Sequence, residues 1–220
     1  MIENRPKITL LISTYNWIDA LKRVIDGVLQ QTILPDEIII ADDGSRSDTK
    51  EYIDSIRKYF PMPLVHVWHE DDGFRRTIIL NKAIAQASGD YIIEIDGDVI
   101  PERHFIQDHI EVMKKGFFVC GSRVMLQEDG SVRPSHYVNL MRIGWLRNAI
   151  ANYRPKLSVR HVRGCNLAFW REDFVSVNGY NEDIYHNAPS MGSKSHNYGL
   201  QCQTENNRST WCANGVSKYL

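Results

Sequence analysis

Two aspartates one residue apart, Asp96 and Asp98, close a nearly apolar run, Tyr91-Ile92-Ile93-Glu94-Ile95. Such a run reads as a buried strand, which puts both carboxylates at its carboxyl end, where open α/β sheets place ligands. Hard oxygen donors there suit a divalent cation carrying a phosphorylated substrate. Asp-Gly is also an ordinary turn dipeptide after a strand, so the pair gains meaning only from the rest of the chain.

Three more polar segments follow comparable runs. Ser13-Thr14-Tyr15-Asn16 ends the run from Ile8 to Ser13, and Asp42-Asp43-Gly44-Ser45 follows the isoleucine-rich run from Glu37 to Ala41. Asp72-Gly73-Phe74-Arg75, with Asn81 six residues further on, follows the run from Leu64 to Trp68.

The elements that must hold these residues alternate. Apolar spacing predicts helices over 20–31, 49–59, 78–87 and 105–114, with strands over 8–13, 37–41, 64–68, 91–95 and 117–121. A strand-helix element is expected over 167–177 and an amphipathic helix over 138–151. Strands that are apolar throughout, alternating with three-turn helices, imply a doubly wound α/β fold with a parallel sheet covered on both faces. No Gly-x-Gly-x-x-Gly follows the first strand and no Walker loop is present, so neither dinucleotide binding nor P-loop chemistry has support.

With 220 residues, 43% of them hydrophobic, the chain can bury a full core in one domain or two. A formal charge of -1 gives no argument for a nucleic-acid partner. From Ser131 to Arg171 there is no acidic residue, while Arg133, Arg142, Arg147, Arg154, Lys156, Arg160, Arg163 and Arg171 fall inside. With Leu140, Ile143, Trp145, Leu146 and Ile150, this stretch fits a helix lying on an anionic membrane surface. It equally fits a solvated basic face packing on a cleft. The four cysteines form no Cys-x-x-Cys pair, so reduced, cytosolic thiols are expected and no zinc site is indicated. The first residues show no signal-peptide pattern and no run approaches the ~20 residues of a membrane span. The expected location is cytoplasmic, with a peripheral contact at the inner face of the membrane if the basic helix lies on lipid.

Ile12 to Asn16, Ala41 to Ser45, Asp72 to Arg75 with Asn81-Lys82-Ala83, and Asp96-Gly97-Asp98, in this order and spacing, resemble the family 2 glycosyltransferases of the GT-A fold over residues 7 to about 183. The resemblance implies a Rossmann-like nucleotide-sugar-binding fold with a mostly parallel central sheet and helices on both faces. It implies a nucleotide-sugar-binding half over 1–122, an acceptor-side half over 123–184, and a loosely packed tail over 185–220. Ser13, Thr14 and Tyr15 would border the base and ribose of a UDP-sugar. Asp43, with Asp42 beside it, would hydrogen-bond the uracil; Arg75 would contact base or diphosphate; Asn81 and Asp96 would complete the donor site. Asp96 and Asp98 would hold Mn2+ or Mg2+ against the diphosphate. A sugar nucleotidyltransferase is disfavoured, because Ser13 to Trp17 is not a Gly-rich arginine-bearing loop.

Arg163 to Asp173 and Gly179 to Asp183 resemble the galactosyltransferase-like part of bacterial members that build surface polysaccharide on glycan or lipid-linked acceptors. In that subfamily the Asn-Glu-Asp segment continues into a Gly-Trp-Gly turn and an acidic pair that supplies the general base. Here Asp183 runs into Ile184-Tyr185-His186-Asn187, which is similar to the later His-bearing segment. Trp211 to Leu220 also resembles the family's own end, so an internal loss near Ile184 is expected. Glu182 and Asp183 are then the catalytic candidates, and His186 a candidate metal ligand.

Overall fold

β-Branched residues are frequent in the first, second and fourth strands, and alternation along each strand sorts side chains to two faces. The computed structural model describes residues 5–121 and 164–182. Within them lie β1 (Ile8–Thr14), α1 (Ile18–Leu29), β2 (Glu37–Asp42), α2 (Ser47–Arg57), β3 (Leu64–Trp68), α3 (Arg76–Gln86), β4 (Tyr91–Asp96), α4 (Phe105–Val112), β5 (Val119–Cys120), β6 (Asn166–Trp170) and α5 (Arg171–Ser176). One six-stranded sheet runs in the order β3-β2-β1-β4-β6-β5.

The chain builds outward from β1 through β2 to β3, then crosses back to place β4 on the other side of β1. β1, β2, β3 and β4 are parallel, whereas β6 runs antiparallel to both β4 and β5. The mostly parallel sheet is as expected; β6 alone runs against the other five strands, a reversal that apolar runs do not signal. The expected strand over 117–121 shortens to two residues. The helix expected over 78–87 begins earlier, at Arg76, which brings that arginine to the sheet edge.

Ile8, Leu10 and Ile12 of β1, Ile38 and Ile40 of β2, and Tyr91, Ile93 and Ile95 of β4 face α1, α2 and α4. Leu11, Ile39, Ala41 and Ile92 face α3 and α5. This period of two, buried on both faces, is what a sheet between two helical layers requires. Truncating a fully buried residue such as Ile39 to Ala should cost roughly 2–5 kcal/mol.

α4 is tied to β6 by a polar contact inside the core. His109 Nε2 lies 3.0 Å from Asn166 Oδ1, and both residues are buried. Gly121 must be glycine here, since a Cβ would sit 1.7 Å from the Asn166 amide nitrogen. Burial pushes the His109 imidazole down to about 4, with the Asn166 hydrogen bond opposing the shift only in part. The native ring is therefore neutral, and Nε2–H donates to Asn166.

A folded value below the ordinary one near 6.5 means the unfolded chain binds more protons between those limits. Stability is then full above about pH 6.5 and lost as pH falls toward 4. Between pH 7 and pH 5 the contribution is roughly 2 kcal/mol. Denaturation at the two pH values checks this: the wild-type chain is expected to lose that increment, and His109→Gln to show a correspondingly shallower dependence.

Candidate active site at the carboxyl edge of the sheet

The topological switch lies between β1 and β4, and ligands of open α/β sheets bind at the carboxyl ends flanking such a point. The register puts Ser13 opposite both Ala41 and Asp96, and Thr14 opposite Asp42. Four loops rise from this edge: residues 15–17, 43–46, 69–75 and 97–104.

Asp42 and Asp43 are adjacent in sequence but do different work. Asp42 is fully buried; its Oδ1 accepts from the Ser45 backbone N–H at 2.8 Å and its Oδ2 meets His66 Nε2 of β3 at 2.8 Å. It shapes the loop and ties two strands. Asp43 Oδ1 meets His69 Nε2 at 2.7 Å, and its Oδ2 accepts from the Arg75 backbone N–H at 3.0 Å. Each carboxylate oxygen keeps a lone pair for a ligand. Burial raises the Asp43 carboxyl above the ordinary range, and the bonds from His69 and Arg75 offset this only in part. Between the two loops, Gly44 takes a φ of +97°, and a Cβ there would meet the Asp71 backbone at 2.6 Å.

Tyr15 stands half exposed, its hydroxyl donating to Asp71 at 2.9 Å. Asn16, at a φ of 49°, holds the loops together through its N–H to Ser45 Oγ at 2.8 Å and its Oδ1 from the Arg46 N–H at 3.0 Å. The Arg75 guanidinium turns to its own loop, donating to the Glu70 carbonyl at 2.6 Å and pairing with Asp72 at 3.2 Å.

The cation at the centre is Arg76, which sequence reasoning missed. Its Nε donates to Ser13 Oγ at 3.1 Å, and its Nη2 donates both to Glu94 Oε1 at 3.2 Å and to Asp96 Oδ1. Ser13 Oγ also donates to Asp96 Oδ1 at 3.2 Å. Glu94 is fully buried; burial pushes its carboxyl up to about 7, against the pull of Arg76 and the hydrogen bond from Tyr180. A lone acid inside an apolar strand was the available signal for this partner.

Asp96 is partly exposed and Asp98 stands exposed on the turn that follows. Gly97 between them donates its N–H to the Ser13 carbonyl at 2.6 Å, and a Cβ there would lie 2.7 Å from that oxygen. The two carboxylates are hard donors of the kind Mg2+ and Mn2+ accept. Among the described residues no group of three His, Cys, Asp or Glu side chains gathers, so substrate oxygens and water would supply the remaining ligands.

Asn81 stands apart from the expected donor set. From α3 its Nδ2 donates to the Tyr180 carbonyl at 2.9 Å and to Glu182 Oε1 at 2.8 Å, and its Oδ1 accepts from the Tyr180 N–H at 3.0 Å. It therefore holds the segment bearing Glu182, which is exposed. Asp183, His186, the helix expected over 138–151 and the tail over 185–220 lie outside the described residues. Among the described residues no helix is long and apolar enough to cross a membrane.

Residues 9–177 match the model of glycosyl transferase family 2, and the chain belongs to that family. It is 31% identical over 108 residues to an uncharacterized glycosyltransferase of Nostoc, covering 49% of this chain and 33% of that protein. It is 25% identical over 190 residues to the chondroitin synthase of Pasteurella multocida, covering 83% of this chain and 18% of that one. The chain thus spans a third or less of the length of these two relatives. Its fold is similar to that of a mannosyltransferase from Pyrobaculum calidifontis solved with GDP-Man and Mn2+, with a TM-score of 0.61, 20% identity, and coverage of 83% of this chain and 49% of that one. The architecture is that of the GT-A glycosyltransferases.

Asp42 and Asp98 should separate cleanly by stability. Asp42→Asn weakens a buried pair and is expected to cost roughly 3 kcal/mol. Asp98→Asn, at an exposed position, should leave the denaturation midpoint within the scatter of the wild type. Equal midpoints for both would show that the His66 contact carries no stability.

Proposed function

We propose that this chain binds a UDP-sugar through a divalent cation and transfers the sugar, with inversion, to a glycan or lipid-linked acceptor in bacterial surface polysaccharide synthesis. The single observation that carries it is the convergence of Ser13, Arg76 and Asp96 at the switch point, with Asp98 on the adjoining turn and Asp43 on the neighbouring loop. The chondroitin synthase relative supports the polysaccharide part of this reading, and the neighbour solved with GDP-Man and Mn2+ supports a metal-bound nucleotide-sugar without selecting its base.

Asp43 would accept the N3–H of uracil, and Tyr15 would border the ribose. Asp96 and Asp98 would hold Mn2+ or Mg2+, which when bound neutralises charge developing on the diphosphate. The acceptor hydroxyl oxygen attacks the anomeric carbon as the bond from that carbon to the diphosphate oxygen breaks. UDP departs with the bonding pair, and the hydroxyl proton passes to a carboxylate, Glu182 or Asp183.

A second reading is favoured by Asp183 running directly into Ile184-Tyr185-His186, without the Gly-Trp-Gly turn and acidic pair of the subfamily it resembles. On that reading donor binding is intact and turnover is low. Loss of general-base assistance alone would slow transfer by roughly a hundred- to ten-thousand-fold. Insertion of the missing segment after Asp183 would then raise transfer far more than it changes UDP affinity.

Calorimetric titration tests donor binding. UDP is expected to bind more tightly with Mn2+ than without, and Asp98→Ala to abolish that difference while the fold is kept. Unchanged Mn2+ dependence in the variant would remove Asp98 from the metal site. Base recognition is checked in the same way: Asp43→Ala should weaken UDP more than pyrophosphate, because a site built to hydrogen-bond a base loses that bond alone. A preference for GDP over UDP would reassign the donor.

A further inference from the structure

Glu94 poses a physical question. It is fully buried in β4, at a position where an apolar side chain would pack without the cost of desolvating a charge. A buried ion pair adds little to stability over a well-packed hydrophobe, so the fold alone gives no reason for an acid there. Its two oxygens are divided. Oε1 accepts from Arg76 at 3.2 Å, and Oε2 accepts from the Tyr180 hydroxyl at 2.6 Å.

Resting on the functional reading above, we infer that Arg76, Glu94 and Tyr180 form a positioning relay that fixes Asp96 for the metal-bound diphosphate and ties it to the segment carrying Glu182. Arg76 is 8% exposed at its side chain and reaches Ser13, Glu94 and Asp96 from the first residue of α3. Asp96 lies two residues beyond Glu94, so both side chains leave the same face of the strand and can share one guanidinium. With Oδ1 engaged by Arg76 and Ser13, the orientation of Asp96 is set before any ligand arrives.

The far end is anchored equally well. Tyr180 packs edge-on to Phe174, ring centroids 4.9 Å apart, and Asn81 bonds both its N–H and its carbonyl. Asn81 also bonds Glu182, so one unbroken chain of contacts runs from the acceptor-side acid to the donor-side acid. Gly164 closes over the centre: a Cβ there would lie 2.9 Å from Glu94 Oε1 and 3.1 Å from the Arg76 guanidinium. Groups hydrogen-bonded directly to a metal-binding carboxylate, as Arg76 and Ser13 are to Asp96, typically contribute ten- to a hundredfold in metal affinity.

The test is a double-mutant cycle read by Mn2+ binding, using electron paramagnetic resonance of the full chain with UDP present. Tyr180→Phe removes one oxygen and keeps the ring packing. It is expected to weaken Mn2+ binding reproducibly but by no more than about tenfold, since it reaches Asp96 only through Glu94 and Arg76, and to have no further effect in an Asp96→Asn background, because it acts through that carboxylate. A purely structural tyrosine would lower the melting temperature and leave Mn2+ affinity unchanged, or would weaken it by the same factor in both backgrounds; either result overturns the relay. If Tyr180→Phe does not fold, Glu94→Gln carries the same cycle and the same criteria. No binding of Mn2+ with UDP by the wild-type chain would overturn the functional reading and the relay with it, whereas wild-type binding unaffected by the variants overturns the relay alone.

Discussion

The register between β1 and β4 is the constraint on which the site depends. Pairing of Ile8 with Tyr91 at one end carries through to Ser13 opposite Asp96 at the other. The Gly97 N–H locks the last step onto the Ser13 carbonyl at 2.6 Å. A slip of one residue would send Asp96 to the opposite face of the sheet, away from Arg76. Since both faces of these strands are packed, the apolar pattern resists such a slip along its whole length.

Two buried carboxylates mark the two edges of this sheet and show how environment decides their roles. At the amino edge, Glu37 accepts from Thr9 Oγ1 at 2.5 Å, from the Ser88 hydroxyl, and from the Ser88 and Gly89 N–H groups at 2.7 and 3.0 Å. Burial pushes its carboxyl up, but these donors outweigh it and the group lies below the ordinary range. It is a saturated clasp between strands. Glu94 at the opposite half has a hydroxyl and a guanidinium as partners, and burial prevails. The first arrangement ties strands together, and the second joins β4 to Arg76 and Tyr180.

Much of this was legible from residue order. Apolar runs ending in polar residues located β1, β2, β3 and β4, and the strand ends carrying Ser13, Asp43 and Asp96 followed from them. Division of labour between Asp42 and Asp43 was not legible, because it depends on His66 and His69, which reach the loop only once β3 pairs with β2. Arg76 was not legible because α3 begins two residues before the expected helix, a shift within the ordinary uncertainty of helix ends. Asn81 was read with the donor segments because it follows them in sequence; in the fold it faces residues about a hundred positions away. Reversal of β6 relative to β4 had no sequence signal at all.

The claim that a divalent ion and a nucleoside diphosphate meet at the end of β4 is tested most directly by anomalous scattering at the manganese edge, from crystals grown with UDP and Mn2+. The expected result is an anomalous peak within coordination distance of Asp98, at the turn that follows Asp96, bridged to the diphosphate oxygens. A fully occupied diphosphate with no peak at that turn, or a peak held by other residues, would contradict it.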